Sequence, residues 1–448
     1  MSPNPRQLAF TALRSIHKGA FADVAVDQAL QQAEMSLLDR RLFTELVYGT
    51  IRRQRTLDAL IDQFARKNNQ PPDLRLILQL GLYQLRYLDQ IPESAAVDTS
   101  VELAKRNKLS GLMGVVNGLL RQYLRTQTIL KADPLELPEH SGTCSGAIAR
   151  LGILHSYPDW IVQTWCDQFG IAETEKLCEW MNRPPQIDLR VNTLKTNIDQ
   201  VEAAMRAKNI HVDRIPNVPN ALRLPPSTGA IQNLPGYTEG WWIVQDSSAQ
   251  LVGHLVDPQP EEIVADACAA PGGKTLHLAE LMHDRGTVWA IDKTASRLKK
   301  LQQNVDRLAL TSIHTLTCDS RDVPQLKEQC DRVLVDAPCS GLGTLNRHAD
   351  ARWRQTPQSA AGLAQLQQEI LTEAATWVKP QGVLVYSTCT LNSIENESVV
   401  KQFLAQHPDW SIEVPNQFSA LTTSEGWIKV LPHCHNMDGF FMVRLKHG

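Results

Sequence analysis

The stretch EIVADACAAPGGKT, residues 262–275, decides the fold. An apolar run ends in an acid, Asp266, and passes through a turn in which Gly272 and Gly273 open a helical segment. Strand, glycine turn and helix form the repeating unit of a doubly wound α/β sheet. Four further apolar runs follow, "TVWAID", "HTLTCD", "RVLVDA" and "GVLVYST", and helical segments such as "ASRLKKLQQNVDRLAL" and "SAAGLAQLQQEILTEAATWV" lie among them. This alternation predicts a mostly parallel sheet with helices on both faces. At the end of the chain, "WIKVLP" and "GFFMVRL" are separated only by "HCHNMD", which suits an antiparallel pair closing the sheet.

Upstream of the sheet the pattern changes. The chain has 448 residues, more than one hydrophobic core usually serves, so several domains are expected. Residues 1–130 show helical periodicity almost throughout, as in "LRLILQLGLYQLRYL", with turn-like breaks at "NNQPPD" and "DQIPES", and read as an all-α domain. Residues 131–146 are polar and punctuated by two prolines and two glycines, and read as a linker. Residues 147–240 mix a helical piece with short strand-like pieces and read as a small α+β module, with Trp160, Trp165 and Trp180 packing its core or, alternatively, stacking on bases. Residues 241–448 form the α/β domain.

Composition excludes several classes. Hydrophobic residues make up 43% and charged residues 21%, as in an ordinary globular protein. No apolar run is long enough to span a membrane and the N-terminus lacks signal-peptide character, so a cytoplasmic protein without a membrane partner is expected. Nine cysteines, an odd number with no C-x-x-C pair, argue for free thiols. "HCH" at 433–435 is rejected as a metal site because three adjacent side chains cannot all face one ion. Net charge is −3, with 17 basic against 12 acidic residues in 1–130 and 28 against 36 in the remainder. That imbalance permits RNA contact through the first domain, as would a solvated surface.

In a doubly wound sheet, ligands bind beyond the carboxyl ends of the strands, where strand order reverses. Each apolar run here is followed by chemistry-bearing residues: "DACAAPGGKT", Asp292, Asp319, "DAPCSG" and "TCT". The first resembles a phosphate-binding loop, but Cys268 stands where that loop needs its first glycine, and Pro271 lies inside it. The dinucleotide fingerprint is absent too. What remains is close backbone approach at Gly272 and Gly273, and Asp292 at the next strand end, placed to accept both hydroxyls of a ribose or to cap the helix after Thr294. An adenosine cofactor lacking a pyrophosphate fits, and S-adenosyl-L-methionine is the candidate.

Cys339 and Cys389 each follow an apolar run. A thiolate adding to C6 of a cytosine makes C5 nucleophilic toward a sulfonium methyl, and a base must later remove the C5 proton so that the thiol can leave. If the fourth and fifth strands are neighbours, Asp336, Cys339 and Cys389 converge beside the cofactor site. A lone cysteine is more often inert and buried. Two thiols at adjacent strand ends, one in an Asp-Ala-Pro-Cys turn, favour chemistry, but spacing does not rank one thiol over the other.

Taken together, "DACAAPGGKT", "DAPCSGLG", "STCT", "LRVNTLK" and "VQDSSAQL" resemble the RNA cytosine-5 methyltransferases of the NOL1/NOP2/Sun family, over roughly residues 147–448. The helical region in front is similar to the NusB antitermination factor, a fusion found in the branch of the family that acts on bacterial small-subunit (16S) rRNA. The resemblance implies a class I, Rossmann-like methyltransferase sheet. It implies that Cys389, in the Thr-Cys motif, is the nucleophile, and that Cys339 is the release assistant or base. It also implies that Cys268, Ala269, Ala270, Pro271, Gly272, Gly273 and Lys274 line the methionine end of the cofactor, Asp292 its ribose, Asp319 its adenine edge, and Asp336 the sulfonium and the target base. Lys274 either lowers a thiol pKa or pairs with Asp336.

The implied partner is small-subunit rRNA before full assembly, met by a monomer. Arg52, Arg53, Arg55, Lys105, Arg106 and Lys108 are candidate phosphate contacts, or simply solvated helix surface. A tRNA cytosine-5 methyltransferase and a catalytically idle RNA-binding assembly factor are the alternatives.

Overall fold

The computed structural model describes residues 4–67, 69–137, 144–226 and 228–448. Part of the expected linker, 138–143, lies outside the described residues. The chain forms two compact units: residues 1–182 with 345–354, and residues 183–344 with 355–448.

The first unit is helical. Among the described residues, seven α-helices between Pro5 and Leu130 share one core, in which Phe10, Phe43, Leu60, Ile77, Leu120 and Tyr123 are fully buried. Three more helices, Cys144–His155, Asp159–Phe169 and Ile171–Trp180, belong to the same unit. Trp165 and Trp180 are buried and Trp160 half-buried, but all three lie in this helical unit and not in the core of an α+β module spanning 147–240. The segment 345–354 is borrowed from a distant part of the chain. Ala349 and Trp353 join the helical core, and the fully buried Arg352 donates to the carbonyls of Arg52 and Ser156 and to Asn182 Oδ1, each at 3.1 Å. Its guanidinium lies 4.2 Å from the centroid of the Tyr157 ring.

The second unit holds two sheets. Four short antiparallel strands, β1 (Ile187–Val191), β2 (Asp213–Arg214), β3 (Ala221–Leu224) and β4 (Trp242–Val244), run in the order β2-β3-β1-β4. They close over Val201 and Met205 of the helix Ile198–Arg206. The larger sheet comprises β5 (Ile263–Asp266), β6 (Thr287–Asp292), β7 (Ile313–Thr317), β8 (Cys330–Asp336), β9 (Val378–Thr388), β10 (Trp410–Ile412), β11 (Ile428–Val430) and β12 (Phe440–His447). Its order is β10-β12-β9-β8-β5-β6-β7, with β11 on β12. The strands from β9 to β7 pair in parallel, and β12 pairs antiparallel with β9, β10 and β11. Strand order therefore reverses between β5 and β8. Helices cover both faces, with Leu276, Leu278 and Leu301 packed on one and Ile370, Leu371 and Phe403 on the other. This is the mostly parallel sheet that the alternation of runs predicts, in the Rossmann-like arrangement that the resemblance implies.

Candidate active site

The reversal point between β5 and β8 is where the expected residues gather. After β5 the chain turns at Gly272, whose φ is +113° and where a Cβ would lie 2.8 Å from Leu301 Cγ. Only glycine serves at that position. Gly273 then opens the helix Gly273–Leu281. The loop is tied from below: Asp266 is buried, accepts the Thr275 hydroxyl at 2.7 Å and the Cys268 N–H at 3.3 Å, and is pushed by burial up to about 7. A second tie comes from β1. Arg190 and Glu280 form a buried pair at 2.9 and 3.0 Å, and Arg190 also donates to the Gly273 carbonyl at 2.8 Å.

Lys274 resolves the choice posed by the sequence. Its ammonium pairs with Asp336 Oδ2 at 2.6 Å and lies 4.9 Å from the centroid of the Phe440 ring. Burial alone would depress its pKa, but the charge and hydrogen bond of Asp336 outweigh that and raise it. Asp336 is the register partner of Ser387 on β9, and the Ser387 hydroxyl donates to its other oxygen at 2.9 Å.

The parallel pairing of β8 with β9 also brings the two thiols together, with Cys339 Sγ 3.4 Å from Cys389 Sγ. The Cys339 thiol is pushed well up, first by its contact with Cys389, then by burial, the Cys389 charge and Glu395. Backbone sets this separation. The Gly343 N–H donates to the Cys389 carbonyl at 2.9 Å and the Gly343 carbonyl accepts from Gly439 at 2.7 Å. A Cβ on Gly343 would lie 2.7 Å from the Cys389 carbonyl oxygen.

The remaining acids are engaged by their own neighbours. Asp292 Oδ1 accepts the Thr294 N–H at 2.8 Å, and Oδ2 accepts from Arg297 at 3.2 Å. Asp292 thus braces the turn before the helix Ala295–Leu308, whose N-cap is Thr294 and which has no side-chain cap bond. Asp319 pairs with Arg321 at 2.7 Å, and those hydrogen bonds hold it down at about 2. Among the candidate phosphate contacts, Arg52 needs correcting. It is buried and donates to the Asn346 carbonyl at 3.1 Å, so it is an internal tie of the helical unit and not a surface cation. Arg55 is similarly occupied by the Tyr157 carbonyl and by Asp159 at 2.7 Å. Lys105, Arg106 and Lys108 are exposed.

Arg190 and Glu395 carry structure at this site with no role expected for them from the sequence, and Asp266 and Gly343 lie in motifs that give them no role of their own. Asp266 ends an apolar run as Asp292 does, so strand position was a signal for it. A buried charge on another element, such as Arg190, leaves no local signal.

The donor set fits an adenosine sulfonium. It is rich in carboxylates, its one loop lysine is already neutralised by Asp336, and the Gly273 backbone is open: a Cβ there would meet nothing closer than Gln245 at 3.6 Å. Such a set suits hydroxyls and a cation and repels a pyrophosphate. Fold and site together define a class I methyltransferase that uses S-adenosylmethionine.

Comparison with known proteins narrows this. Residues 253–446 match the family model "16S rRNA methyltransferase RsmB/F", residues 3–125 the NusB family, and residues 157–229 the ferredoxin-like domain of RsmF/B-like methyltransferases. A probable ribosomal RNA small subunit methyltransferase B of Synechocystis is 49% identical, over 98% of this chain and 99% of that one. The corresponding Bacillus subtilis protein is 36% identical, over 98% of each chain. The crystal structure of PH0851 superposes with a TM-score of 0.81 at 27% identity, covering 99% of both chains. The chain belongs to the RsmB/F family of small-subunit rRNA methyltransferases, with an N-terminal NusB domain.

Proposed function

We propose that this protein transfers a methyl group from S-adenosylmethionine to C5 of a cytosine in small-subunit rRNA, through a covalent bond between a cysteine and C6 of the base. The observation that carries the reading is the pair of thiols 3.4 Å apart beside the Lys274–Asp336 ion pair, at the point where strand order reverses. When bound, the cofactor supplies an electrophilic methyl group. Cys268–Lys274, Asp292, Asp319 and Asp336 are the residues that would hold it.

The base must leave its stack to meet the thiols, either flipped or presented in a single-stranded loop. Asp336, fixed by Lys274 and Ser387, orients the base. Cys389 as thiolate forms the bond to C6 and so makes C5 nucleophilic. Cys339 acts in the release step, in which C5 loses its proton and the C6–sulfur bond breaks. Exposed cations of the NusB domain, with Lys105, Arg106 and Lys108 as candidates, would steer the rRNA phosphates. An unassembled small-subunit rRNA is the expected substrate, since a folded particle would cover the base.

The test pairs two variants on naked small-subunit rRNA. Cys389→Ala should lose both turnover and covalent capture, whereas Cys339→Ala should accumulate an RNA–protein adduct on denaturing gels. An adduct with Cys389→Ala and none with Cys339→Ala would reverse the roles. Methylation of tRNA in preference to rRNA would replace the substrate, and cofactor binding without any methyl incorporation would leave an assembly factor.

A further inference from the structure

Glu395 is fully buried, yet it sits six residues beyond Cys389 in a loop that the chemistry above does not use. Four neutral donors converge on its carboxylate. Oε1 accepts the Ser340 N–H at 2.8 Å and Gln367 Nε2 at 3.2 Å. Oε2 accepts the Ser340 hydroxyl at 2.5 Å and Asn392 Nδ2 at 3.1 Å. Two oxygens taking four donors make an acceptor-only group, which is what an ionised carboxylate is. Burial pushes the Glu395 carboxyl upward, and the bonds from Ser340, Gln367 and Asn392 oppose that.

These bonds reach both thiol loops. Ser340 follows Cys339, and its hydroxyl lies 2.9 Å from that of Thr390, which follows Cys389. Asn396, next to Glu395, accepts the Thr388 hydroxyl at 2.6 Å and donates to the Thr390 carbonyl at 3.0 Å. The Tyr386 hydroxyl donates to the Glu395 carbonyl at 2.6 Å. Residues on both sides of Cys389, and the residue after Cys339, are thereby tied to one short segment.

We propose that Glu395 is a positioning residue that clamps the two cysteine loops and sets a carboxylate beside Cys339, so that the two thiols are not equivalent. This rests on the reading of the two cysteines as attacking and releasing groups. After the contact with Cys389 and burial, the Glu395 charge also favours the protonated form of Cys339. The Gly341 N–H draws Cys339 the other way.

Alkylation by iodoacetamide, followed at each cysteine by peptide mass, needs neither RNA nor cofactor. In a Cys389→Ala background, adding Glu395→Gln should speed alkylation of Cys339 about tenfold at pH 8 and lower its pH midpoint by about one unit. In the otherwise intact chain, Glu395→Gln should lower kcat about ten- to a hundredfold, with KM for rRNA and cofactor affinity within about twofold. An unchanged alkylation profile of Cys339, or unchanged kcat, overturns the role of Glu395. Should the Gln variant fail to fold, Ser340→Ala cuts the hydroxyl bond to Glu395 and carries the test: a fall in kcat of about fivefold at unchanged cofactor affinity supports the clamp, and intact kcat refutes it. A native chain that methylates rRNA without ever forming an adduct overturns the cysteine reading instead, so the two failures are separable.

Discussion

At the scale of single residues, each acid of this site has its own partner. Asp336 keeps a lysine, Asp319 an arginine, and Asp266 has a hydroxyl and an N–H in a buried position. Asp266 is the one whose titration reaches stability. Burial lifts it from 3.8 to about 7, so the folded protein retains a proton that the unfolded chain has already released. Its contribution is complete below pH 3.8 and is lost as pH rises through about 7. Asp266→Asn does not titrate and should remove that decline. The unfolding free energy of the variant relative to the native chain should improve between pH 4 and pH 8 by on the order of 2–4 kcal/mol. Urea melts across that range measure it, and a constant difference would refute the assignment.

At the scale of elements, the cofactor loop depends on a strand of the small module. Arg190 on β1 meets Glu280 on the helix Gly273–Leu281 and holds the Gly273 carbonyl. Glu280→Ala leaves a buried guanidinium without its partner and should destabilise by about 3–5 kcal/mol. Replacing both, Arg190→Met with Glu280→Leu, should recover most of that loss because neither charge is then stranded. Cofactor affinity should stay weakened in the double variant, since the Gly273 carbonyl has lost its donor. Equilibrium denaturation and calorimetric binding separate the two effects, and restored affinity in the double variant would show that the tie is purely structural.

At the scale of the whole molecule, the chain does not divide where its sequence changes character. Residues 345–354 lie between β8 and β9 in sequence but belong to the helical unit, where Arg352 caps three backbone or amide oxygens around residues 52, 156 and 182. A fragment ending at residue 182 therefore lacks part of its own core. It should melt about 5–10 °C below the same unit in the full chain, and a peptide of residues 345–354 added in trans should raise its melting temperature. A peptide carrying Arg352→Ala should not. Equal melting with and without the native peptide would mean that the segment adds nothing to that core.

What the sequence determined by itself is the part of this protein written in local pattern. Apolar runs bounded by glycine and acid specify strands, 3.6-residue periodicity specifies helices, and their alternation leaves the parallel sheet as the arrangement that buries both faces. The sheet then places strand-end residues such as Asp266, Asp336 and Cys389 at one edge, which is why the candidate site was readable from motif positions. Tertiary structure alone decided the charge partners. Lys274 could have turned to a thiol or to an acid, Arg52 could have faced solvent, and Glu395 carries no mark in the sequence that separates it from a surface glutamate. Each choice depends on distances between groups 62, 294 or 55 residues apart in the chain. Coulomb and hydrogen-bond energies fall off over a few ångströms of space, and separation along the chain does not enter them.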